Sequence, residues 1–306
     1  MRISKKFLVT GGAGFIGSNL VKSLVKDGNL ITVIDNLTTG SLANLKTVRN
    51  KIRFIKTSSG KIISLKGLGG IDGVFHLGIP SSSPFYKKNR RLIGQALSDF
   101  INILEFAKKE NCKVVFASSS SIYNGNEIPY QEDMPILIKD FYTEARYAME
   151  RIGQLYCDFF GLKCIGLRFF SVYGQGEESK KNVANLVSQF LWLMKKNKPP
   201  VIYGLGLQER DFINVKDTVL GLKIAMDSSA SCGVFNLGTG KFYNLNRLVK
   251  ILNKVLGKNI KPVYIKNPVK NYIDRQMADT TKARRILGFK AKISLEQGVR
   301  DLYLAD

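Results

Sequence analysis

Short apolar runs alternate with longer amphipathic segments over about the first 180 residues of the chain. The apolar runs are rich in branched or aromatic side chains, which is typical of buried strands. They lie at Phe7–Thr10, Leu30–Ile34, Ile52–Ile55, Gly73–Leu77, Lys113–Ala117 and Cys164–Arg168. The longer segments repeat apolar residues every three or four positions, which predicts helices at Gly14–Asp27, Leu92–Lys109 and Tyr142–Phe160. This alternation predicts an α/β fold, a Rossmann-type doubly wound parallel sheet with helices on both faces.

The pattern is less regular from residue 181 onwards. It predicts short strands at Val201–Tyr203, Asp211–Asn214 and Gly233–Asn236, and helices at Val183–Lys196, Asn244–Leu256 and Ser294–Leu304. We interpret this part as a smaller C-terminal α/β domain that caps the carboxyl ends of the sheet. The predicted domains are therefore 1–180 and 181–306, with some exchange of chain between them.

The composition excludes several classes of protein. Of the 306 residues, 44% are hydrophobic and 23% are charged, which rules out a mostly disordered chain. No apolar run reaches the roughly 18–20 residues that a membrane-spanning helix needs. The basic start is not followed by an apolar stretch of signal-peptide length. We therefore expect a cytoplasmic protein with no membrane partner.

The cysteines and the single histidine argue against a metal site. The four cysteines form no CxxC pair and fit no zinc spacing, so we expect buried free thiols in a reducing compartment. They are Cys112, Cys157, Cys164 and Cys232. His76 is the only histidine, which excludes a site with several histidine ligands. It lies in an apolar segment, and any Ser-His-Asp scheme would have to use it.

The formal net charge of +23 is high and raises the question of a polyanionic partner. The lysines are scattered over predicted helices and do not form one block, which favours a solvated basic surface. No interleaved pattern of aromatic and basic residues is present. We expect no nucleic-acid partner; the opposite hypothesis predicts DNA affinity that depends strongly on salt.

A glycine-rich turn follows the first predicted strand. Its glycines stand at 11, 14 and 17, with a further glycine at 12, directly before the first predicted helix. Glycines there let the backbone approach a pyrophosphate, whose charge is met by the helix N-terminus. Asp35 ends the second predicted strand, 18 residues past Gly17. A carboxylate at that point accepts hydrogen bonds from ribose hydroxyls and repels a 2′-phosphate, so NAD is favoured over NADP.

Together these segments resemble the extended short-chain dehydrogenase/reductase family, and within it the NAD-dependent nucleotide-sugar epimerases and dehydratases. The resemblance covers nearly the whole chain and lies in Thr10–Gly17, Val33–Leu37, Val74–Leu77, Val114–Tyr123, Tyr142–Glu150, Gly166–Gly176, Tyr203–Asp217, Phe235–Gly240 and Ala278–Gly288. It implies that 1–180 binds NAD and 181–306 binds a nucleotide-sugar. The NAD contacts that it implies are Gly11, Gly14, Phe15, Ile16, Gly17, Asp35, Asn36, Leu77, Tyr142 and Arg146.

The resemblance also implies a catalytic serine and tyrosine. Ser119 would hydrogen-bond the sugar hydroxyl that is oxidised, and Tyr142 would be the tyrosine of a Tyr-x-x-x-Lys motif. A nearby cation favours the phenolate, which can then take the proton of that hydroxyl. Arg146 stands where the family has lysine, and a planar guanidinium does not replace a compact ammonium without consequence. We expect Arg146 to join Ser119 and Tyr142 in a site that keeps its activity.

Further positions are assigned by the same resemblance. The substrate contacts are Ser119, Ser120, Ser171, Arg210 and Gln276. Arg210 is expected to hold the diphosphate, and Gln276 to limit the size of the sugar pocket. A second phosphate arginine aligns at Val269, where Lys270 or Arg275 can replace it. Ser58 occupies the position, after the third strand, where the family often has an adenine-contacting Asp, and the helix motif Asn-x-x-Gly-Thr reads Ala96 to Phe100.

Epimerisation is the reaction that we expect. Dehydratases and decarboxylases of the family place an acidic residue after the catalytic Ser/Thr, whereas this chain has Ser120 and Ser121. The main hypothesis is NAD-dependent 4-epimerisation of a UDP-sugar of the glucose/galactose type. The alternatives are another nucleotide-sugar dehydratase or reductase, and a catalytically weak NAD- or nucleotide-sugar-binding protein, which Arg146 favours. A homodimer that pairs through Leu92–Lys109 and Tyr142–Phe160 is also expected.

Overall fold

The computed structural model describes residues 4–268 and 272–304. In chain order the strands are β1 (Lys6–Thr10), β2 (Leu30–Asp35), β3 (Ile52–Lys56), β4 (Gly73–His76), β5 (Lys113–Ser119), β6 (Cys164–Phe169), β7 (Ser171–Tyr173), β8 (Val201–Tyr203), β9 (Glu209–Arg210), β10 (Phe212–Asn214), β11 (Cys232–Leu237), β12 (Tyr243–Asn244) and β13 (Val263–Ile265). The helices are α1 (Phe15–Lys26), α2 (Ser83–Lys88), α3 (Leu92–Glu110), α4 (Phe141–Phe160), α5 (Leu186–Lys195), α6 (Val215–Asp227), α7 (Leu245–Leu256) and α8 (Leu295–Leu304).

Seven strands form one parallel sheet in the order β11-β6-β5-β4-β1-β2-β3. Alternate residues of a strand point to opposite faces, so Phe7 and Val9 of β1 join one hydrophobic core while Leu8 joins the other. Helices α1 and α6 cover the first face, and α3 and α4 cover the second. The predicted Rossmann-type doubly wound α/β fold is confirmed.

The seventh strand, β11, comes from the second half of the chain. The sequence pattern suggested that Gly233–Asn236 lies in the smaller C-terminal part, but the structure pairs β11 with β6 at the edge of the large sheet. Helix α6, which the pattern did not predict, precedes β11 in the chain and packs on α1. Phe235 and Leu237 of β11 are buried, so this return of the chain completes the first hydrophobic core.

A smaller body is built from most of the remaining chain after residue 180. Its core is formed by the inner faces of three helices, α5, α7 and α8. Three small strand pairs surround these helices: β8 with β13, β9 with β12, and β7 with β10. No helix in the described part of the chain is long and apolar enough to cross a membrane.

The expectation that all four cysteines are free thiols is wrong. Cys157, near the end of α4, and Cys232, at the start of β11, form a disulfide whose Cα atoms lie 6.2 Å apart. The two residues are 75 positions apart in the chain, and only the placement of β11 beside β6 brings them together. Cys112 and Cys164 are free and buried. The cysteines therefore do not support the expected reducing compartment.

Candidate active site

A cavity of about 1050 Å³ lies along the carboxyl ends of the sheet strands. This is where open parallel sheets bind their ligands. The cavity is lined by the predicted residues Gly11, Gly14, Phe15, Ile16, Gly17, Asp35, Asn36, Leu77, Ser119, Ser120, Tyr142, Arg146, Ser171 and Gln276. Segments from most of the chain's length therefore meet in one wall.

The glycine-rich turn brings the backbone close to one end of the cavity. Gly11 has a φ of +67°, and a Cβ there would collide with the backbone of Gly78. A Cβ on Gly17 would collide with the carbonyl oxygen of Gly11. Gly14 caps the N-terminus of α1, whose first turn carries no acidic residue. The N-cap has no side chain that bonds to the first N–H groups of α1. These N–H groups and the positive end of the helix dipole fit a pyrophosphate.

Asp35 closes β2 next to this turn. Its Oδ2 accepts a hydrogen bond from the N–H of Ala13 at 2.9 Å, and its Oδ1 accepts one from the N–H of Leu37 at 2.8 Å. The pKa of Asp35 is raised by burial, and the two backbone hydrogen bonds offset only part of this rise. The carboxylate thus holds two loops together and keeps lone pairs for ribose hydroxyls. The turn and Asp35 together fit the nucleotide half of a dinucleotide.

Ser119 and Tyr142 lie in the wall farther along the cavity. Ser119 ends β5, where its Oγ accepts a hydrogen bond from the N–H of Ser121 at 3.2 Å. Tyr142 lies in the first turn of α4, and Asp140 fixes that turn as its N-cap by accepting from the N–H of Thr143 at 2.8 Å. The strand end and the helix start therefore position the two predicted catalytic side chains independently.

Arg146 follows Tyr142 by one turn of α4. Its guanidinium carbon lies 5.0 Å from the centroid of the Tyr142 ring, in cation–π geometry. The guanidinium donates to the carbonyl oxygen of Pro80 at 2.8 Å and to that of Ala117 at 3.4 Å. Arg146 is 4% exposed, and its Nε has no hydrogen-bond partner among the described residues. Arg146 supplies the positive charge predicted at this position, but its guanidinium is held by two backbone carbonyl oxygens.

His76 ends β4 behind Arg146 and also lines the cavity. Its Nδ1 is 2.8 Å from the Oγ1 of Thr10, and its ring stacks on Phe100 with centroids 5.5 Å apart. Complete burial, and then the charge of Arg146, lower the pKa of His76 to about 3. The imidazole is therefore neutral at physiological pH and adds no second cation beside Arg146.

Gln276 lines the cavity together with two serines, Ser120 and Ser171. Its Nε2 donates to the Oγ of Ser120 at 2.7 Å, and its Oε1 accepts from the Oγ of Ser171 at 2.9 Å. Gln276 is 4% exposed, so its amide is fixed between segments that are more than 100 residues away in the chain. The limit on pocket size that the resemblance implies for Gln276 stays a prediction.

The predicted phosphate-binding cations lie elsewhere. Arg210 does not line the cavity; its guanidinium lies 5.2 Å from the ring centroid of Tyr272 and donates to the carbonyl oxygen of Glu209 at 2.8 Å. Arg275 is exposed and pairs with Glu209 at 2.7 Å. Val269 and Lys270 lie outside the described residues. Among the described residues, the structure thus brings the predicted site residues together in the cavity wall, except Arg210 and Arg275. The phosphate-binding roles of these two arginines stay predictions.

Two residues that the sequence analysis did not consider also line the cavity. Asn185 caps the N-terminus of α5 by accepting from the N–H of Val187 at 3.0 Å. Lys180 reaches the same rim, where its Nζ lies 5.4 Å from the ring centroid of Phe15. An Asn directly before an apolar run is a helix N-cap signal, so Asn185 was predictable as a cap. Lys180 follows no comparable pattern.

The chain is similar to known proteins over nearly its whole length. Residues 7–238 match the family described as the NAD dependent epimerase/dehydratase family. A curated relative from Methanocaldococcus jannaschii, named putative UDP-glucose 4-epimerase, is 33% identical and the match covers 96% of this chain and 95% of the relative. A UDP-N-acetylglucosamine 4-epimerase from Methanobrevibacter ruminantium, solved with UDP-N-acetylmuramic acid, has 30% identity and a TM-score of 0.93 over 99% of both chains. A UDP-glucose 4-epimerase from Thermotoga maritima, solved with UDP-glucose, has 30% identity and a TM-score of 0.89 over 97% of both chains.

Proposed function

Because this chain belongs to the NAD-dependent epimerase/dehydratase family, we propose that it catalyses the 4-epimerisation of a UDP-sugar of the glucose/galactose type. NAD is the cofactor of the family, and the glycine-rich turn and Asp35 fit it. One observation carries the proposal: Ser119 and Tyr142 share the cavity with that turn, while the residues after Ser119 carry no carboxylate. The names of the curated and structural relatives support a UDP-sugar as substrate.

The proposed mechanism assigns a role to three side chains of the cavity wall, those of Tyr142, Arg146 and Ser119. The phenolic oxygen of Tyr142 takes the proton of the sugar hydroxyl, and the nearby guanidinium of Arg146 stabilises the negative charge of the phenolate. Ser119 orients the hydroxyl through a hydrogen bond. Bound NAD supplies the chemistry of hydride acceptance and return. The keto sugar turns about its diphosphate, and Tyr142 returns the proton, so no further acid or base is needed.

A catalytically weak binding protein is the second candidate, and one observation favours it. The fork of Arg146 is held by the carbonyl oxygens of Pro80 and Ala117. The compact ammonium group of a lysine at this position would not need both carbonyl oxygens and could form hydrogen bonds with other groups. A nucleotide-sugar dehydratase is less well supported, because Ser120 and Ser121 offer no acidic group. A reductase is an alternative that does not depend on such a group.

The test is turnover of UDP-sugars in the presence of NAD. Wild-type protein is incubated with UDP-glucose, UDP-galactose and their N-acetyl counterparts, and the nucleotide-sugars are separated by chromatography. We expect the 4-epimer of at least one of them. Tyr142→Phe removes the proton acceptor and should lower the rate by about 10²–10⁴-fold. Arg146→Lys is the matched variant that keeps the charge and changes its shape.

Each outcome separates the candidates. Turnover that is lost in Tyr142→Phe supports the proposed epimerase. Turnover only in Arg146→Lys would mean that arginine has silenced the site. Absence of turnover in both, with NAD still bound, would contradict the epimerase and favour the binding protein.

We also propose that the protein forms a homodimer through α3 and α4. The outer faces of these two packed helices carry exposed apolar side chains: Leu155 is 50% exposed and Phe159, one turn further along α4, is 75% exposed. Ile101 of α3 is 38% exposed. Apolar side chains at helical spacing on neighbouring helices fit a helical interface between two copies of the chain.

A further inference from the structure

We propose that Asp99 of α3 recognises the amino group of the adenine of NAD, a role that the sequence resemblance would give to position 58. The inference depends on NAD as cofactor and is independent of the sugar on which the protein acts.

The position of the base follows from the two groups already placed. When NAD is bound, the glycine-rich turn would hold the pyrophosphate and Asp35 the adenosine ribose, so the base would continue past the carboxyl ends of β2 and β3. That end of the cavity is lined by Ser58, Ser59 and Gly60 after β3, and by Gln95 and Asp99 of α3. Among the described residues that line the cavity, Asp35 and Asp99 are the ones with a carboxylate. Asp99 is therefore the carboxylate left for the base.

The carboxylate of Asp99 is held in place from both sides. Its Oδ2 accepts hydrogen bonds from the hydroxyls of Ser58 at 3.1 Å and Ser59 at 3.3 Å. Its Oδ1 accepts one from the amide of Gln95, one turn earlier on α3, at 2.6 Å. A carboxylate offers about four acceptor sites. Three are used, so one acceptor site stays available at the cavity.

The loop after β3 makes room for this carboxylate. A Cβ on Gly60 would collide with Oδ1 and Cγ of Asp99, so the absence of a side chain at position 60 is what admits the carboxylate. The carbonyl oxygen of Gly60 also accepts a hydrogen bond from the amide of Asn102, one turn further along α3, at 2.8 Å. Loop and helix are therefore fitted to each other around Asp99. Ser58 therefore acts by donating a hydrogen bond to Asp99, and Asp99 supplies the acceptor for the base.

A carboxylate here distinguishes between purines. The exocyclic amine of adenine is a donor and pairs with an ionised carboxylate. Hypoxanthine has a carbonyl oxygen at the same place, which would face the carboxylate without a proton between them. Hydrogen bonds to charged groups are stronger than neutral ones. We therefore expect about a tenfold or greater preference for the adenine dinucleotide.

The experiment measures which dinucleotide the protein retains. Full-length protein is equilibrated with an equimolar mixture of NAD and nicotinamide hypoxanthine dinucleotide, desalted and denatured, and the released nucleotides are quantified by mass spectrometry. Wild type should release at least about ten NAD for each hypoxanthine dinucleotide. Asp99→Asn should bring the ratio close to one. Asp35→Asn is the matched control, since it should lower the total of both nucleotides and keep their ratio.

A second pair of variants protects the test against a loss of folding. Asp99→Ser should also lose the preference. Adding Ser58→Asp to Asp99→Ser moves the carboxylate to the neighbouring loop and should restore it. A wild type without preference would overturn the proposal, as would an unchanged ratio in Asp99→Asn and Asp99→Ser.

Discussion

At the scale of single residues, a buried ion pair lies behind the candidate site and supports the end of β5. Arg168 of β6 and Glu150 of α4 are 3% and 6% exposed, and Nη2 of the arginine lies 2.7 Å from Oε2 of the glutamate. The guanidinium also donates to the hydroxyl of Tyr123 and to the carbonyl oxygen of Glu132, and Glu150 accepts from Ser118. Ser118 precedes the predicted catalytic Ser119, so this network fixes the end of β5 from behind.

Glu150→Gln should therefore destabilise the protein strongly. The amide leaves Arg168 buried without a counter-charge, which costs about 3–5 kcal/mol of the free energy of unfolding. Urea unfolding followed by circular dichroism measures the change. Glu296→Gln, which removes an exposed partner of Lys254, is the control and should leave the midpoint nearly unchanged. Equal effects of the two substitutions would contradict this account.

The sequence predicts residues that stand at a fixed offset from a strand end or a helix start. Asp35 is of this kind, because it ends β2 at a fixed distance from the glycine-rich turn. The role of Tyr142 comes from the family resemblance, and the structure places this residue in the first turn of α4. Asp99 is not of this kind, since its role depends on a loop 40 residues earlier in the chain that lies beside α3. Arg210 shows the opposite case: the motif predicts its role in binding diphosphate, but its rotamer and partners are set by tertiary contacts that a motif does not contain.

At the scale of elements, the helix that carries Tyr142 is fixed at both ends. Its N-terminus has the Asp140 cap, and its last turns are tied by Cys157 to Cys232 of β11. The apolar pattern predicted most of α4 and β11 within a few residues. It did not predict their proximity, because β11 is separated in the chain from its neighbour β6 by the first part of the smaller body and by α6.

Cys232→Ser should lower the stability of the oxidised protein. A disulfide that closes a loop of 75 residues stabilises the folded protein by about 4.5 kcal/mol in the chain-entropy account, because it restricts the unfolded chain. Urea unfolding with and without reductant measures this contribution. Reductant should lower the midpoint of wild type and have no effect on Cys232→Ser. A wild-type midpoint that does not respond to reductant would show that the disulfide contributes nothing to stability.

At the scale of the whole molecule, net charge and exposed apolar surface have opposite effects on association. The net charge of +23 keeps copies of the chain apart, whereas the exposed apolar side chains of α3 and α4 favour association of one face. The two helices of the expected dimer come from the family resemblance and not from the apolar pattern, because hydrophobic spacing does not separate a helix face that meets the sheet from one that meets a partner.

Leu155→Glu should convert the proposed dimer into a monomer. In a two-fold interface the new carboxylate would face either the same carboxylate of the other copy or apolar side chains. Both arrangements bury an unpaired charge and disfavour association. Light scattering after size exclusion should give about twice 34.2 kDa for wild type and 34.2 kDa for the variant. Leu205→Glu is the control, since Leu205 is 74% exposed but lies in the smaller body, and the dimer mass should persist. A monomeric wild type would refute the dimer.

The position of β11 also has a consequence for how the protein is made. During synthesis β6 leaves the ribosome about 70 residues before the strand that covers its outer edge. Until then the nascent chain presents a row of unsatisfied N–H and C=O groups, which are ready to pair with another chain. A gene fragment that ends near residue 180 would keep that edge permanently. The cofactor-binding half is therefore a poor autonomous module for fusion or domain exchange, although its motifs are complete.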